Sequence, residues 1–208
     1  WTLKEVNDAV MGGYWRVAGT RGLFGGGDSD GALNIIDFIT IASTGNAADF
    51  GDLTVARYET GCVGNFTRSI WGGGTGVSNV IDYVNPTTTG NAADFGNLTV
   101  ARHKTNLGAS NSTRGLFAGG EAPSRSDVID YITMSSTGNA IDFGNLLAAN
   151  SGIAGASSPT RAIWMGGTAP STTNVIQFIE IDTTGNATDF GDLATATQNS
   201  SCSNSSTR

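Results

Sequence analysis

A Thr-Arg pair returns along this 208-residue chain at Arg21, Arg68, Arg114, Arg161 and Arg208, at spacings of 47, 46, 47 and 47 residues. A period of that size marks a repeat architecture, in which each unit is one supersecondary element that buries its apolar faces only against its neighbours. The first four arginines each open nearly the same sequence. An apolar residue, an aromatic and a Gly-rich step come first, as Leu23-Phe24-Gly25-Gly26, Ile70-Trp71-Gly72-Gly73, Leu116-Phe117-Ala118-Gly119 and Ile163-Trp164-Met165-Gly166. After a variable polar stretch come Ile36-Asp37-Phe38, Ile81-Asp82-Tyr83, Ile129-Asp130-Tyr131 and Ile176-Gln177-Phe178. Thr-Gly-Asn then ends at Asn46, Asn91, Asn139 and Asn186, and the unit closes on Asp-Phe-Gly at Phe50, Phe95, Phe143 and Phe190.

Each unit reads as four short strands. The first covers roughly residues 53–63 and is rich in small side chains, and the second is the Arg-x-x-aromatic-Gly-Gly segment. The third, residues 34–43, sets Ile36, Phe38 and Thr40 on one face and Asp37, Ile39 and Ile41 on the other, the period of two of a strand. The fourth, around residues 46–53, is entered by Thr-Gly-Asn, whose Gly and Asn suit a tight hairpin. Charged residues are only 14% of the chain and Gly numbers 30, a balance that disfavours long helices and suits strands joined by turns. Four antiparallel strands repeated at this period predict an all-β chain of β-propeller blades: four complete blades plus partial flanking strands. Residues 1–20 take the place of a lead-in and a first strand before Arg21. Residues 21–208 carry the repeats, and the opening at Arg208 leads us to expect a piece of a longer chain. Phe24, Trp71, Phe117 and Trp164 are expected to form one layer between blades, and Phe50, Phe95, Phe143 and Phe190 another.

The Gly-Gly after an apolar strand, the aromatic further on and Thr-Val-Ala-Arg at residues 54–57 and 99–102 resemble the kelch repeat over residues 20–208. The Phe of Asp-Phe-Gly stands where kelch units usually carry Trp, so the likeness is to a kelch-like repeat. It implies blades of this strand order in a propeller of roughly five to seven blades. A narrower likeness joins Ile-Asp-Tyr-Ile-Thr…Ser-Thr-Gly-Asn-Ala-x-Asp-Phe-Gly-Asn-Leu of residues 129–146 to repetitive structural proteins of marine cyanobacterial phages. That resemblance implies a virion component of tail or fibre type.

Chemistry-bearing residues are few. His103 is the one histidine, and it reads as an exposed polar strand residue. With two separated cysteines it cannot build a zinc site, so no metal and no cofactor is expected. Cys62 and Cys202 stand six residues before a repeat-opening Arg, in a slot that holds Gly108 and Gly155 elsewhere. That slot reads as a cramped, buried strand position. Asp28-Ser29-Asp30-Gly31 has spaced carboxylates that suit calcium, but it lacks the downstream Glu of an EF-hand and reads better as a solvated turn. Asp of Asp-Phe-Gly recurs without a Gly-rich phosphate loop, and is expected to accept backbone N–H bonds at the turn near Gly51 and its equivalents. The recurring Arg is expected to pair with such an acid in a neighbouring strand. No catalytic residue is assigned, and the chain is not expected to be an enzyme.

The stretches that change between repeats are residues 28–33, 75–78, 121–126 and 168–173, which link the second and third strands and so share one face. Their ligand-binding candidates are Asp28, Asp30, Thr75, Ser78, Glu121, Arg125, Thr168 and Thr172. A second variable set, around residues 58–65, 103–110 and 150–157, is expected at the opposite face. Rigid scaffolds that present diverse loops are commonly binding modules, and polar Ser/Thr/Asn-rich loops suit glycans. The expected partners are other virion proteins and a host cell-surface glycan, with a homo-oligomer left open. A net charge of −7 argues against nucleic acid, and no apolar run is long enough to span a membrane. The expected location is the virion surface. The alternatives are a purely structural virion component and a secreted or surface lectin-like protein of a marine bacterium.

Overall fold

The computed structural model describes residues 20–105 and 108–203, and these form four antiparallel sheets. The first holds β1 (Arg21–Gly25), β2 (Ile35–Thr40) and β3 (Ala48–Asp52). The second holds β4 (Gly61–Gly64), β5 (Ser69–Gly72), β6 (Val80–Val84) and β7 (Ala93–Asn97). In the third are β8 (Ala109–Ser110), β9 (Arg114–Ala118), β10 (Ser126–Thr133) and β11 (Ile141–Asn150). The fourth comprises β12 (Ala154–Ser157), β13 (Arg161–Met165), β14 (Val175–Glu180) and β15 (Thr188–Asp192). Every sheet is a meander of sequential neighbours, so the all-β expectation and the strand order within each repeat hold. The lead-in before residue 20 and the opening at Arg208 lie outside the described residues.

The first strand is shorter than the sequence suggests. Of residues 53–63 only the last three pair in the second sheet, as part of Gly61–Gly64, while residues 53–60 run as a linker. The reason lies in what that linker bonds to, which is the preceding sheet's loop. Arg57 donates its N–H to Leu33 O at 2.9 Å and accepts from Gly27 N at 3.0 Å, so its backbone is committed before the strand begins.

Asp-Phe-Gly is a β-bulge. In the second sheet Ile81 faces Gly96 and Asp82 faces Asp94, which leaves Phe95 as the extra residue, and the same irregularity recurs at Ile36/Asp37, Ile129/Asp130 and Ile176/Gln177. Asp94 Oδ1 accepts Gly96 N at 3.2 Å, and Asp189 Oδ1 accepts Gly191 N at the same distance, as the sequence leads one to expect of this Asp. The bulge turns the Phe onto the aromatic of the third strand. Ring centroids lie 5.7 to 5.9 Å apart, edge to face, in Phe38–Phe50, Tyr83–Phe95, Tyr131–Phe143 and Phe178–Phe190.

Packing occurs between sheets. One core cluster joins Ile36, Phe50 and Leu53 of the first repeat to Trp71 and Val84 of the second. The next joins Ile70, Ile81 and Phe95 to Phe117, Ile132 and Met134, and the third joins Leu116, Ile129 and Phe143 to Trp164, Ile179 and Ile181. Small residues on one side make room for rings on the other: a Cβ at Gly25 would come within 2.7 Å of the Trp71 ring, and one at Gly72 within 2.9 Å of Phe117.

Thr-Gly-Asn has a second role that local turn chemistry does not reveal. Gly90 N donates to Phe50 O and Ala92 N to Asp52 O, both at 2.7 Å, while Asn91 Oδ1 accepts Asp52 N at 3.1 Å. The same trio recurs at Gly138–Ala140 on Phe95 and Asn97, and at Gly185–Ala187 on Phe143 and Asn145. Each fourth strand is therefore stitched to the turn of the next repeat.

Two expected layer residues depart from the pattern. Phe50, Phe95 and Phe143 are 2 to 3% exposed and Trp71, Phe117 and Trp164 are buried, but Phe190 is 56% and Phe24 59% exposed. Each faces outward from a terminal sheet, where the junction that would cover it has no partner sheet among the described residues.

Gly51 and Gly191 separate packing from backbone strain. Both hold φ in the left-handed range (147° and 138°), yet a Cβ at Gly51 would sit 2.5 Å from Gly90 O while one at Gly191 meets nothing. Gly191→Ala is expected to lower stability by about 1 kcal/mol, and Gly51→Ala by roughly 2 kcal/mol more through steric overlap. Urea denaturation of the two variants measures this, and equal losses would mean that the junction is not tightly packed there.

Candidate functional site

Among the described residues, the recurring Arg of the Thr-Arg pair does not seek the Asp of Asp-Phe-Gly. Its guanidinium lies over the third-strand aromatic, 4.5 Å from the Phe38 centroid for Arg21 and 4.6 to 4.7 Å for Arg68, Arg114 and Arg161 over Tyr83, Tyr131 and Phe178. Its Nη1 then crosses to the next sheet, where Pro86 O, Met134 O and Ile181 O accept from Arg21, Arg68 and Arg114 at 2.7 to 3.2 Å. In the last sheet, Arg161 instead pairs with Glu180 at 2.6 Å.

The buried ion pairs are elsewhere. Arg57 Nη2 meets Asp82 Oδ2 at 2.7 Å and Arg102 Nη2 meets Asp130 Oδ2 at 2.8 Å, with all four side chains fully buried. Arg57 also donates to Val80 O and Trp71 O, and Asp82 accepts Thr54 N at 3.2 Å and Thr54 Oγ1 at 2.5 Å. The backbone of Arg57 is held by the first sheet and its side chain by the second, so the residue staples the two. Arg102 does the same between the second and third, through Ser78 O and Gly74 N on one side and Phe117 O and Asp130 on the other. Burial pushes both guanidinium groups below their ordinary value and the facing carboxylates push back, so the cations are held by their partners. At the third junction both members change together. Asn150 Nδ2 donates to Gly166 O at 2.9 Å and Gln177 Oε1 accepts Leu147 N at 2.8 Å.

One end of the sheets gathers the residues that differ between repeats. Loops 28–33, 121–126 and 168–173 close as tight bridges, Asp28 with Ala32, Glu121 with Arg125 and Thr168 with Thr172. Asp28 Oδ1 accepts Gly31 N at 3.0 Å, so that carboxylate caps its own turn, and Asp30 is exposed at φ 60°. Ser78 is engaged within its turn, where its Oγ accepts Val80 N at 3.2 Å. Thr75 donates both N–H and Oγ1–H to Tyr58 O, at 2.8 and 3.1 Å.

The second variable set divides instead of lying wholly at the opposite face. Its beginning joins these loops: Tyr58 bonds to Thr75, His103 exchanges backbone hydrogen bonds with Glu121, and Ser151 with Thr168. Its later part runs into the turns before the next strand, begun at Asn65 and, just past the other two stretches, at Asn111 and Ser158; Asn65 Oδ1 accepts the N–H groups of Thr67 and Arg68. The division follows from the linker, which crosses the loop end before the short first strand carries the chain away.

Sequence reasoning misses the electrostatics of this loop face. His103 Nδ1 lies 2.8 Å from Glu59 Oε2, with side chains 24% and 34% exposed, so His103 is a partly buried linker residue and not a free strand position. Lys104 Nζ lies 3.0 Å from Glu121 Oε2. The Lys104 hydrogen bond holds the Glu121 carboxyl below the usual carboxylate range, aided by the charges of Lys104, His103 and Arg125 and opposed by dehydration. Glu59 and Lys104 occupy a recurring left-handed position, φ 56° and 53°, filled by Gly152 and Asn199 in later repeats. On the last repeat the face is neutral: Thr168 Oγ1 donates to Gln198 Oε1.

Cys62 and Cys202 are free thiols. Gly108 is cramped as expected, since a Cβ there would stand 2.8 Å from both Cys62 O and Leu116 O, but Cys62 itself is exposed along a groove lined by Arg21, Leu23 and Trp71. The slot faces the preceding repeat's first strand, and the first sheet has none among the described residues. Among those residues no three His, Cys, Asp or Glu side chains converge as a metal site would need. No helix among them is long and apolar enough to cross a membrane. No family model matches the chain, and no curated protein matches it.

The third junction supplies its own control for the staple. Asp130→Gln alone leaves Arg102 buried without a carboxylate and is expected to cost about 3–5 kcal/mol. Adding Arg102→Asn, which recreates the amide combination of Asn150 and Gln177, is expected to recover most of that loss. A double-mutant cycle in urea measures it, and a single-variant cost near zero would mean that the pair does not hold the sheets together.

Proposed function

We propose that this chain is part of a non-enzymatic kelch-like β-propeller on a phage virion, in a tail or fibre position, and that its loop face binds a host-surface glycan. Four consecutive meander sheets, each burying a face against the next, support the blade reading, because blades depend on their neighbours in just this way. The wording of residues 129–146, which resembles repetitive phage structural proteins, supports the virion.

One observation carries the binding role. The apolar clusters and turn bonds that hold the junctions recur from repeat to repeat, while the side chains on the loop face change from a charged set (Glu59, His103, Lys104, Glu121) to a neutral one (Ser151, Thr168, Gln198). Partly exposed Tyr58 and His103 stand among the carboxylates of Glu59 and Glu121 and the hydroxyl of Thr75, a combination of ring and acceptor that suits the apolar and hydroxylated sides of a sugar.

The reading is tested by binding labelled protein to intact cyanobacterial cells with and without their surface polysaccharide. Saturable binding that disappears on stripping the polysaccharide is expected. Tyr58→Ala and Glu121→Ala are each expected to weaken it by about tenfold, the equivalent of ~1.4 kcal/mol. Absence of binding by the folded protein would move the assignment to a structural component of the particle.

A further inference from the structure

We propose that Arg125 is the anion-binding end of the loop face, and that the glycan held there carries an oxyanion, a carboxylate or a sulfate. The sugar in this inference rests on the glycan-binding reading; the anion site at Arg125 does not.

Two backbone bridges build the site. His103 pairs with Glu121 and Glu121 with Arg125, each antiparallel, so the linker residue and both limbs of loop 121–126 stand side by side in one row. Residues directly opposite each other in an antiparallel pair project their side chains to the same side. The next repeat builds its row with the same two bridges, from Ser151 to Thr168 and from Thr168 to Thr172. That row carries only hydroxyls, so the fold sets the row and leaves its charge free.

Within the charged row, His103 is taken by Glu59 and Glu121 by Lys104. Arg125 is left over. Its charge reaches the Glu121 carboxyl, yet its guanidinium makes no hydrogen bond or ion pair among the described residues. Every other arginine among them is engaged. Arg57 and Arg102 meet buried carboxylates, Arg161 meets Glu180, and Arg21, Arg68 and Arg114 donate to carbonyls of the next sheet. Arg125 is also only partly exposed, and its Nε is buried without a partner. A guanidinium that has lost part of its hydration and gained no partner is poised for an oxyanion, which its planar fork grips through parallel N–H bonds.

The neighbours of Arg125 narrow the ligand further. Glu121 beside it repels a second anion and accepts from hydroxyls, as Glu59 does. The chain's net charge of −7 repels a densely charged polyanion. The fit is therefore to single oxyanions spaced among neutral hydroxyls, as on an acidic sugar.

Arginine Nε–H signals of the nitrogen-labelled whole protein test the site by NMR, with glucuronate, inorganic sulfate, chloride and glucose as probes at matched ionic strength. Glucuronate or sulfate is expected to shift the Arg125 signal saturably, while chloride and glucose leave it in place. Which of the two anions acts separates a carboxylated sugar from a sulfated one. Arg57 and Arg102, whose Nε atoms are buried too, report that the fold is intact. Arg125→Gln is expected to weaken binding to the host polysaccharide about tenfold, and reducing the polysaccharide's carboxyl groups and removing its sulfates to weaken wild-type binding by as much. An Arg125 signal that neither anion moves, or that chloride moves equally, overturns the proposal. Equal binding of native and neutralised polysaccharide overturns it too, while the glycan-binding reading stands. A saturable anion shift without any polysaccharide binding upholds the anion site and removes the glycan.

Discussion

A meander sheet with apolar side chains on both faces cannot bury them by itself, and everything else in this protein depends on how one sheet meets the next. The hydrophobic contribution at such a contact scales with the apolar area removed from water, so a flat approach of large rings onto glycine-floored recesses is efficient. Trp71 over Gly25 and Phe117 over Gly72 achieve this, and a side chain at either Gly would collide with the ring above it. Apolar contact alone is tolerant of sliding. Register between sheets is set by directional groups: the backbone amides of the Thr-Gly-Asn turn on the fourth strand, and an arginine with its backbone in one sheet and its guanidinium in the other. With Arg57 Nε and two nitrogens of Arg102 buried without hydrogen-bond partners among the described residues, desolvation of the cations is only partly offset. The staple thus specifies alignment more than it adds net stability.

Much of this is legible in the residues. The period, the strand order and the aromatic layers follow from self-similarity, because identical burial demands leave identical side chains. What escapes is what crosses between repeats. Thr-Gly-Asn looks like a local hairpin turn, yet its Asn91 carbonyl serves Asp52 of the preceding repeat. The first strand reads too long, since the small residues of 53–60 suit a strand and a linker equally, and only the bond from Arg57 to Leu33 decides. Phe24 and Phe190 match their equivalents by sequence and differ solely by standing at the ends.

The ion-pair staple leaves a trace that can be read. Arg57 goes with Asp82 and Arg102 with Asp130, while Asn150 goes with Gln177. A charge lost on one side of a buried pair leaves the other uncompensated, so both positions turn neutral together, and Asn150 and Gln177 then bond to Gly166 O and Leu147 N in place of each other. The loop face leaves no such trace. Its contacts, Glu59 to His103 and Lys104 to Glu121, occur once each, and an interaction present in one repeat has no internal comparison.

The backbone at that face bears on why those charges are there. The left-handed position after each staple is met by Gly152 and Asn199 at little steric cost, so the fold itself asks for no long side chain. Glu59 and Lys104 adopt the same conformation at a cost of order 1 kcal/mol each. Neither contributes to a core cluster; each commits its side chain to one partly exposed ion pair, an interaction that adds little to stability. A strained residue whose contact contributes little to folding is accounted for by what the side chain presents. Here that is opposite charge on two successive linkers, Glu59 and Lys104, carried by a scaffold whose junctions make no use of it.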